Sequence, residues 1–243
     1  MSESTGSPPA ASAAPVAAAC ILLRRGVAAV VRQLIVSGAR LITGLRALSS
    51  QGSAPATTQT VYFANHTSHG DFVLLWAALP AARRRQTRPV AGQDYWGHSP
   101  LRRFIGGDVF HALMIRRDGN GSADPLAQMT TALRAGHSLI LFPEGTRNTG
   151  DASLLPFKSG IYHLSLAFPD VQFVPVWIDN LQRVLPKGAL LPVPLACSVR
   201  FGDALPLLPG ENKPAFLQRA RQALLDLRPV YDRDTAPAVS PSE

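Results

Sequence analysis

From residue 60 onward the chain alternates short apolar runs of strand length with longer segments of helical pattern, and this alternation is what most constrains the fold. "TVYFA" (60–64), "RPVAG" (88–92), "FHALMI" (110–115), "HSLILF" (137–142), "VQFVPVWI" (171–178) and "LACSVRFGDAL" (195–205) read as strands. "DFVLLWAALP" (71–80), "SPLRRFIGG" (99–107), "ADPLAQMTTALRAG" (123–136), "KSGIYHLSLAF" (158–168) and "KPAFLQRARQALLDL" (213–227) read as helices or helical turns, with Gly136 as a C-cap. The pattern predicts an α/β fold: a mixed, largely parallel sheet flanked by helices, over residues 60–232. A chain of 243 residues is long enough for one such core, and it contains no repeat.

The N-terminal region is different. Residues 1–15 are rich in Ser, Ala and Pro and are expected to be disordered. They carry no basic residue, which argues against a secretory signal peptide. Residues 16–48 read as a helical segment, with a break expected near Gly38 or Gly44. On a helical wheel Arg24, Arg46, Arg32, Arg25 and Arg40 fall between 0° and about 160°, whereas Leu23, Val27, Val30, Val31, Leu34, Leu41 and Leu45 fall between about 240° and 340°. Arginines inside 16–36 make a membrane span costly. Two readings follow: a surface helix with a solvated basic face, or a basic amphipathic helix lying on an anionic membrane with its aliphatics at the acyl boundary. Residues 49–59 read as a linker and 233–243 as a loose tail.

The formal charge is +8, and only Lys158, Lys187 and Lys213 among the basic residues are lysine. Codon bias explains most of this arginine excess, while attraction to phosphate is the functional reading, because the guanidinium fork grips phosphate oxygens in pairs. Cys20 and Cys197 sit in apolar surroundings and suggest neither a disulfide framework nor a zinc site, so a reducing compartment fits best.

Chemistry-bearing residues crowd two junctions. "NHTSHGDF" (65–72) places His66, His69 and Asp71 between a strand and a helix. A histidine base works best when a carboxylate holds its second ring nitrogen. His66 and Asp71 are about 140° apart on a continuous helix and would not meet there, but they can meet on a strand-end loop feeding a helix. The competing reading is a capping box from Ser68 to Asp71, with the carboxylate binding backbone N–H groups. His69 is a rival base. No partner cluster for a metal accompanies the histidines, and His98, His111, His137 and His163 read as structural or surface residues. "LILFPEGTRN" (139–148) repeats the logic: a buried strand runs into a turn where Gly145 permits close approach and Arg147 can bind an anion.

These residues carry a family resemblance. "NHTSHGD" resembles the Asn-His-x4-Asp motif of the glycerolipid acyltransferases (1-acylglycerol-3-phosphate O-acyltransferase-like), and "FPEGTRN" resembles their Phe-Pro-Glu-Gly-Thr-Arg-Ser motif. Between them "ALMIRRD" resembles the strand ending Ile-x-Arg. "PFKSGIYHL" and "FVPVWI" follow in family order. The likeness covers residues 60–178. His111 stands in place of a glycine, Arg116 in place of an aspartate or small residue, and Asn148 in place of serine.

The resemblance implies transfer of a fatty acyl group from an acyl thioester to the hydroxyl of a lysophospholipid, in phospholipid biosynthesis. It implies His66 as general base, oriented by Asp71. Glu144, Gly145, Thr146 and Arg147 would bind the acceptor, helped by Arg117 or Arg116 and by Lys158, and Pro175 would shape the acyl site. Backbone N–H groups near Gly145 or near the 174–176 strand end are the candidates for holding the oxyanion. No cofactor is expected beyond the thioester co-substrate, acyl-CoA or acyl carrier protein. The expected setting is the cytoplasmic face of a membrane, bound peripherally, with no nucleic-acid partner. Two rivals stand beside this reading: an acyl-thioester hydrolase on the same scaffold, and a non-enzymatic membrane-surface binding protein.

Overall fold

The computed structural model describes residues 13–49, 58–68, 70–116, 124–179 and 197–229. Residues 1–12 of the segment expected to be disordered, the C-terminal loose tail, most of the 49–59 linker, His69 and Arg117 lie outside these residues, whereas 13–15, expected to be disordered, already belong to a helix.

Seven strands form one sheet: β1 (Arg46–Ser49), β2 (Thr60–Ala64), β3 (Thr87–Gly92), β4 (Leu113–Ile115), β5 (Ser138–Leu141), β6 (Gln172–Asp179) and β7 (Ser198–Phe201), in the order β1-β7-β6-β2-β5-β3-β4. Only β6 and β7 pair antiparallel, so the sheet is mixed and largely parallel. The helices are α1 (Ala13–Thr43), α2 (Asp71–Ala78), α3 (Ala81–Gln86), α4 (Gln93–Trp96), α5 (Pro100–Arg103), α6 (Pro125–Arg134), α7 (Gly160–Ala167) and α8 (Lys213–Leu225). Three of them start where a polar cap meets a proline. Ser99, Asp124 and Asn212 each accept a first-turn N–H, and Pro100, Pro125 and Pro214 follow, supplying a ready helical φ.

The central strands are apolar throughout because both of their faces are covered. Tyr62, Ala64, Ile140, Val176 and Ile178 face α2 and α1, while Val61, Phe63, Leu139, Leu141 and Phe173 face α6, α7 and α8. Phe63, Leu75, Leu139, Ile140 and Phe216 are fully buried. Truncating any of these to Ala is worth about 2–5 kcal/mol.

Several expectations are corrected. Residues 46–49 are not the end of the helix or the start of a linker: Arg46–Ser49 is a strand paired with β7. α1 runs through Gly38 unbroken and stops before Gly44. "FHALMI" yields only three strand residues, because His111 adopts φ +52. Before it, Phe104–Val109 is a π-helical turn, closed by Phe110 N–H donating to Ile105 O. Gly106 belongs to that turn, where a Cβ would run into Met114 and come within 3.2 Å of the Trp96 ring.

The orientation of α1 also differs from expectation. Its arginine side faces the domain. Arg24 pairs with Asp108 at 2.7 Å, Arg32 reaches the His111 ring at 3.3 Å, and Arg40 donates twice to Ala77 O at 3.2 and 2.6 Å. Ala28, Val36 and Thr43 are buried between these arginines. The aliphatic side is left uncovered: Leu23, Val30, Leu34 and Leu41 are 60–86% exposed. The arginine face is thus shared between domain and solvent: it makes these contacts, yet Arg24, Arg25 and Arg40 remain exposed. Among the described residues no helix is long and apolar enough to cross a membrane.

Candidate active site

β2 and β5 are adjacent parallel strands, with Phe63 in register with Leu141. Their C-terminal ends therefore open side by side, and both chemistry-bearing junctions share one edge of the sheet. That edge is where open α/β sheets bind ligands.

The first junction is built around one carboxylate. Asp71 opens α2 and is fully buried. Its Oδ2 accepts from Thr67 N–H at 2.6 Å and Ser68 N–H at 2.8 Å, and lies 2.9 Å from His66 Nδ1. Its Oδ1 is buried without a hydrogen-bond partner. The two readings of Asp71 therefore coexist: one oxygen serves both the loop backbone and the imidazole. Ser68 does not complete the capping box, because its hydroxyl accepts from Gly70 N–H instead. The His66 ring stacks on Phe142 with centroids 4.2 Å apart and planes 18° apart, which fixes the ring plane. Its side chain remains 18% exposed.

The second junction holds the first from behind. Glu144, which the resemblance places against an acceptor, is turned inward and only 2% exposed. Its Oε1 accepts from His66 N–H and its Oε2 from Leu155 N–H, both at 2.8 Å. Burial pushes its carboxyl above the ordinary range, against the pull of those two N–H groups and of His66. Asn148 N–H donates to His66 O at 2.7 Å. Gly145 adopts φ +71, and a Cβ there would sit 3.1 Å from Lys158 Cγ, so the lysine stem lies along the glycine.

Thr146 and Arg147 are exposed on this turn, and Lys158, just before α7, is exposed beside it. Arg116 is exposed just after β4, the edge strand. Three strand spacings, roughly 14 Å, separate β4 from β2, so Arg116 starts well away from His66 along the sheet edge. Pro175 is buried in β6, level with Phe63 and roughly 10 Å of strand before His66. Neither oxyanion candidate emerges as a ready donor. Gly145 N–H is engaged by Phe142 O, and residues 174–176 lie in the ladder with β2.

Sequence reasoning passed over four contributors. Asn65 ties the ends of β2 and β6 together through Ile178 O and N–H at 2.9 and 2.8 Å. Phe142 stacks under the base, Asn148 holds its carbonyl, and Leu155 anchors Glu144. Asn65 was the one with a visible signal, as a polar residue directly abutting a buried strand. Among the described residues no group of His, Cys, Asp and Glu converges on a metal position.

A buried carboxylate, the imidazole against it and a glycine–arginine turn thus share the mouth of one α/β sheet. The Acyltransferase family model matches residues 47–179, and the chain belongs to that family. It is 31% identical over 161 residues to the 1-acyl-sn-glycerol-3-phosphate acyltransferase of Limnanthes alba, covering 62% of this chain and 52% of that protein. It is 28% identical over 175 residues to the human 1-acyl-sn-glycerol-3-phosphate acyltransferase alpha, covering 70% and 59% respectively. The chain thus spans about half the length of the curated relatives it matches. The crystal structure of the 1-acyl-sn-glycerophosphate (LPA) acyltransferase PlsC from Thermotoga maritima superposes with a TM-score of 0.61 at 19% identity, over 81% of this chain and 78% of that one; the two share a fold.

Proposed function

We propose that this chain transfers a fatty acyl group from an acyl thioester to the free hydroxyl of a lysophospholipid such as 1-acylglycerol 3-phosphate. The observation that carries the reading is the 2.9 Å contact between His66 Nδ1 and the fully buried Asp71. A carboxylate at Nδ1 holds the proton on that nitrogen and leaves Nε2 as the base. The names of the relatives support the acceptor.

The acceptor hydroxyl oxygen attacks the thioester carbonyl carbon as its proton passes to His66 Nε2. The C–O bond forms, the carbonyl electrons move to oxygen, and Asp71 stabilises the imidazolium. Collapse of the tetrahedral intermediate breaks the C–S bond, and the departing thiolate takes the proton from Nε2. General-base catalysis of this kind is worth about 10²–10⁴ in rate. Arg147, with Lys158 beside its turn and Arg116 just after β4, receives the acceptor's phosphate, and by the family resemblance alone Arg117 is the alternative to Arg116. The thiol carrier is coenzyme A or an acyl carrier protein, and no cofactor is needed beyond this co-substrate.

The uncovered aliphatic stripe of α1 supports peripheral docking on a membrane, at its cytoplasmic face, where a lysolipid is at hand. The test is acyl transfer from radiolabelled acyl thioester to a panel of lysolipids. His66→Ala is expected to lose at least two orders of magnitude in kcat while remaining folded. Undiminished turnover by the variant would remove the mechanism, and acyl release that needs no lipid acceptor would favour a hydrolase.

A further inference from the structure

We propose that Glu144 is a positioning residue that locks the His66 peptide to the anion-binding turn, and that it does not contact the acceptor. The inference rests on the acyl-transfer reading and adds a role for a carboxylate that the reaction itself does not use.

The main chain of His66 is held from both sides by the second junction. Glu144 Oε1 takes its N–H at 2.8 Å, and Asn148 N–H donates to its C=O at 2.7 Å. The other Glu144 oxygen fastens Leu155, where the loop returns, at 2.8 Å. Arg147 lies between Glu144 and Asn148 in sequence, so the residue that would hold the phosphate and the residue that would take the proton belong to one hydrogen-bonded unit. With 2% exposure and both oxygens engaged, the carboxylate presents no face to a substrate.

A buried carboxylate is a costly way to join two loops, since apolar packing commonly serves as well or better. What the carboxylate adds is register. Its two oxygens fix two N–H groups at once through short charge-assisted bonds. Register matters because the acceptor's hydroxyl must come within about 2.6–3.2 Å of the base while its phosphate is anchored elsewhere. A misplacement of about 1 Å costs on the order of 10²-fold.

Glu144→Gln keeps the shape and one acceptor but turns an N–H donor toward the second amide. The readouts that need no turnover are amide hydrogen exchange at His66 and Leu155 and thermal stability against pH. Exchange at one of the two amides should accelerate at least tenfold. Because burial raises the Glu144 carboxyl above its ordinary 4.5, the stability it contributes is present below that pH and lost as pH rises. Glu144→Gln should therefore gain Tm relative to wild type on going from pH 4 to pH 7.

In transfer assays Glu144→Gln should lower kcat ten- to a hundredfold with acceptor KM changed less than threefold. Combined with His66→Ala it should add no further loss. Glu144→Asp, which keeps the charge but shortens the reach, should lose kcat comparably. A tenfold rise in acceptor KM at unchanged kcat, an undiminished loss in the His66→Ala background, or wild-type kcat in Glu144→Asp would overturn the proposal. Unchanged amide protection in Glu144→Gln would overturn it as well. If the wild-type protein acylates no lysolipid, the acyl-transfer reading falls, while the exchange data still judge the clamp.

Discussion

Asp71→Asn separates the geometry of the site from its charge. The carboxylate does its work through Oδ2, which serves Thr67 N–H, Ser68 N–H and the His66 ring at 2.6–2.9 Å, while Oδ1 has no partner. An asparagine can place its carbonyl at the Oδ2 position and keep all three contacts. Its amide then occupies the Oδ1 position, exchanging one unpaired buried atom for another. The loop should hold its shape, and what disappears is the negative charge facing the imidazolium. At about 4 Å and an effective dielectric of 20 that interaction is worth about 4 kcal/mol. Partial expression of it in the transition state corresponds to about 10²–10³ in kcat. The assay is steady-state transfer from acyl-CoA to 1-acylglycerol 3-phosphate, with circular dichroism to check the fold. The expected result is that fall in kcat with acceptor KM within threefold of wild type. A folded Asp71→Asn protein with wild-type kcat would refute the reasoning, because the carboxylate would then be only a loop fastener. Asp71→Ala is the poorer experiment, since it strips three partly buried donors of their acceptor at up to about 1–3 kcal/mol each.

Two further outcomes are expected. Arg147→Ala should raise the KM for a phosphate-bearing acceptor at least tenfold, with less effect on a lysolipid that lacks the phosphate monoester; unchanged KM would assign the arginine another task. Replacing Val30 and Leu34 together by Asp should weaken sedimentation with liposomes containing anionic lipid without lowering Tm, because both side chains are at least 60% exposed. Persistent binding would mean that another surface docks.

Most of the sheet was legible because a strand covered on both faces must be apolar at nearly every position, as Tyr62, Phe63 and Ile140 are. β1 was not, since "RALS" is four residues long and borrows its strand character from β7, far along the chain. The orientation of α1 was half legible. The arginine and aliphatic faces separate cleanly on the wheel, yet the wheel does not say which face is covered. Ala28, Val36 and Thr43, set among the arginines, held that clue, since small and β-branched residues allow a helix to approach closely while long arginine stems reach past them to Asp108, His111 and Ala77. At the site, spacing brought His66 and Asp71 to notice, but no local pattern reveals that Glu144 turns inward. That depends on β2 and β5 being neighbours, which is a property of the topology.

The pairing of β1 with β7 ties the two ends of the folded unit in time as well as in space. Arg46 N–H donates to Cys197 O and Cys197 N–H to Thr43 O, so the root of α1 is fastened by residues synthesised about 150 positions later. At about 5–20 residues per second a ribosome needs roughly 8–30 s to supply them. Within that interval α1 can already grip Asp108, His111 and Ala77 through its arginines, while the fastening at its root waits for β7.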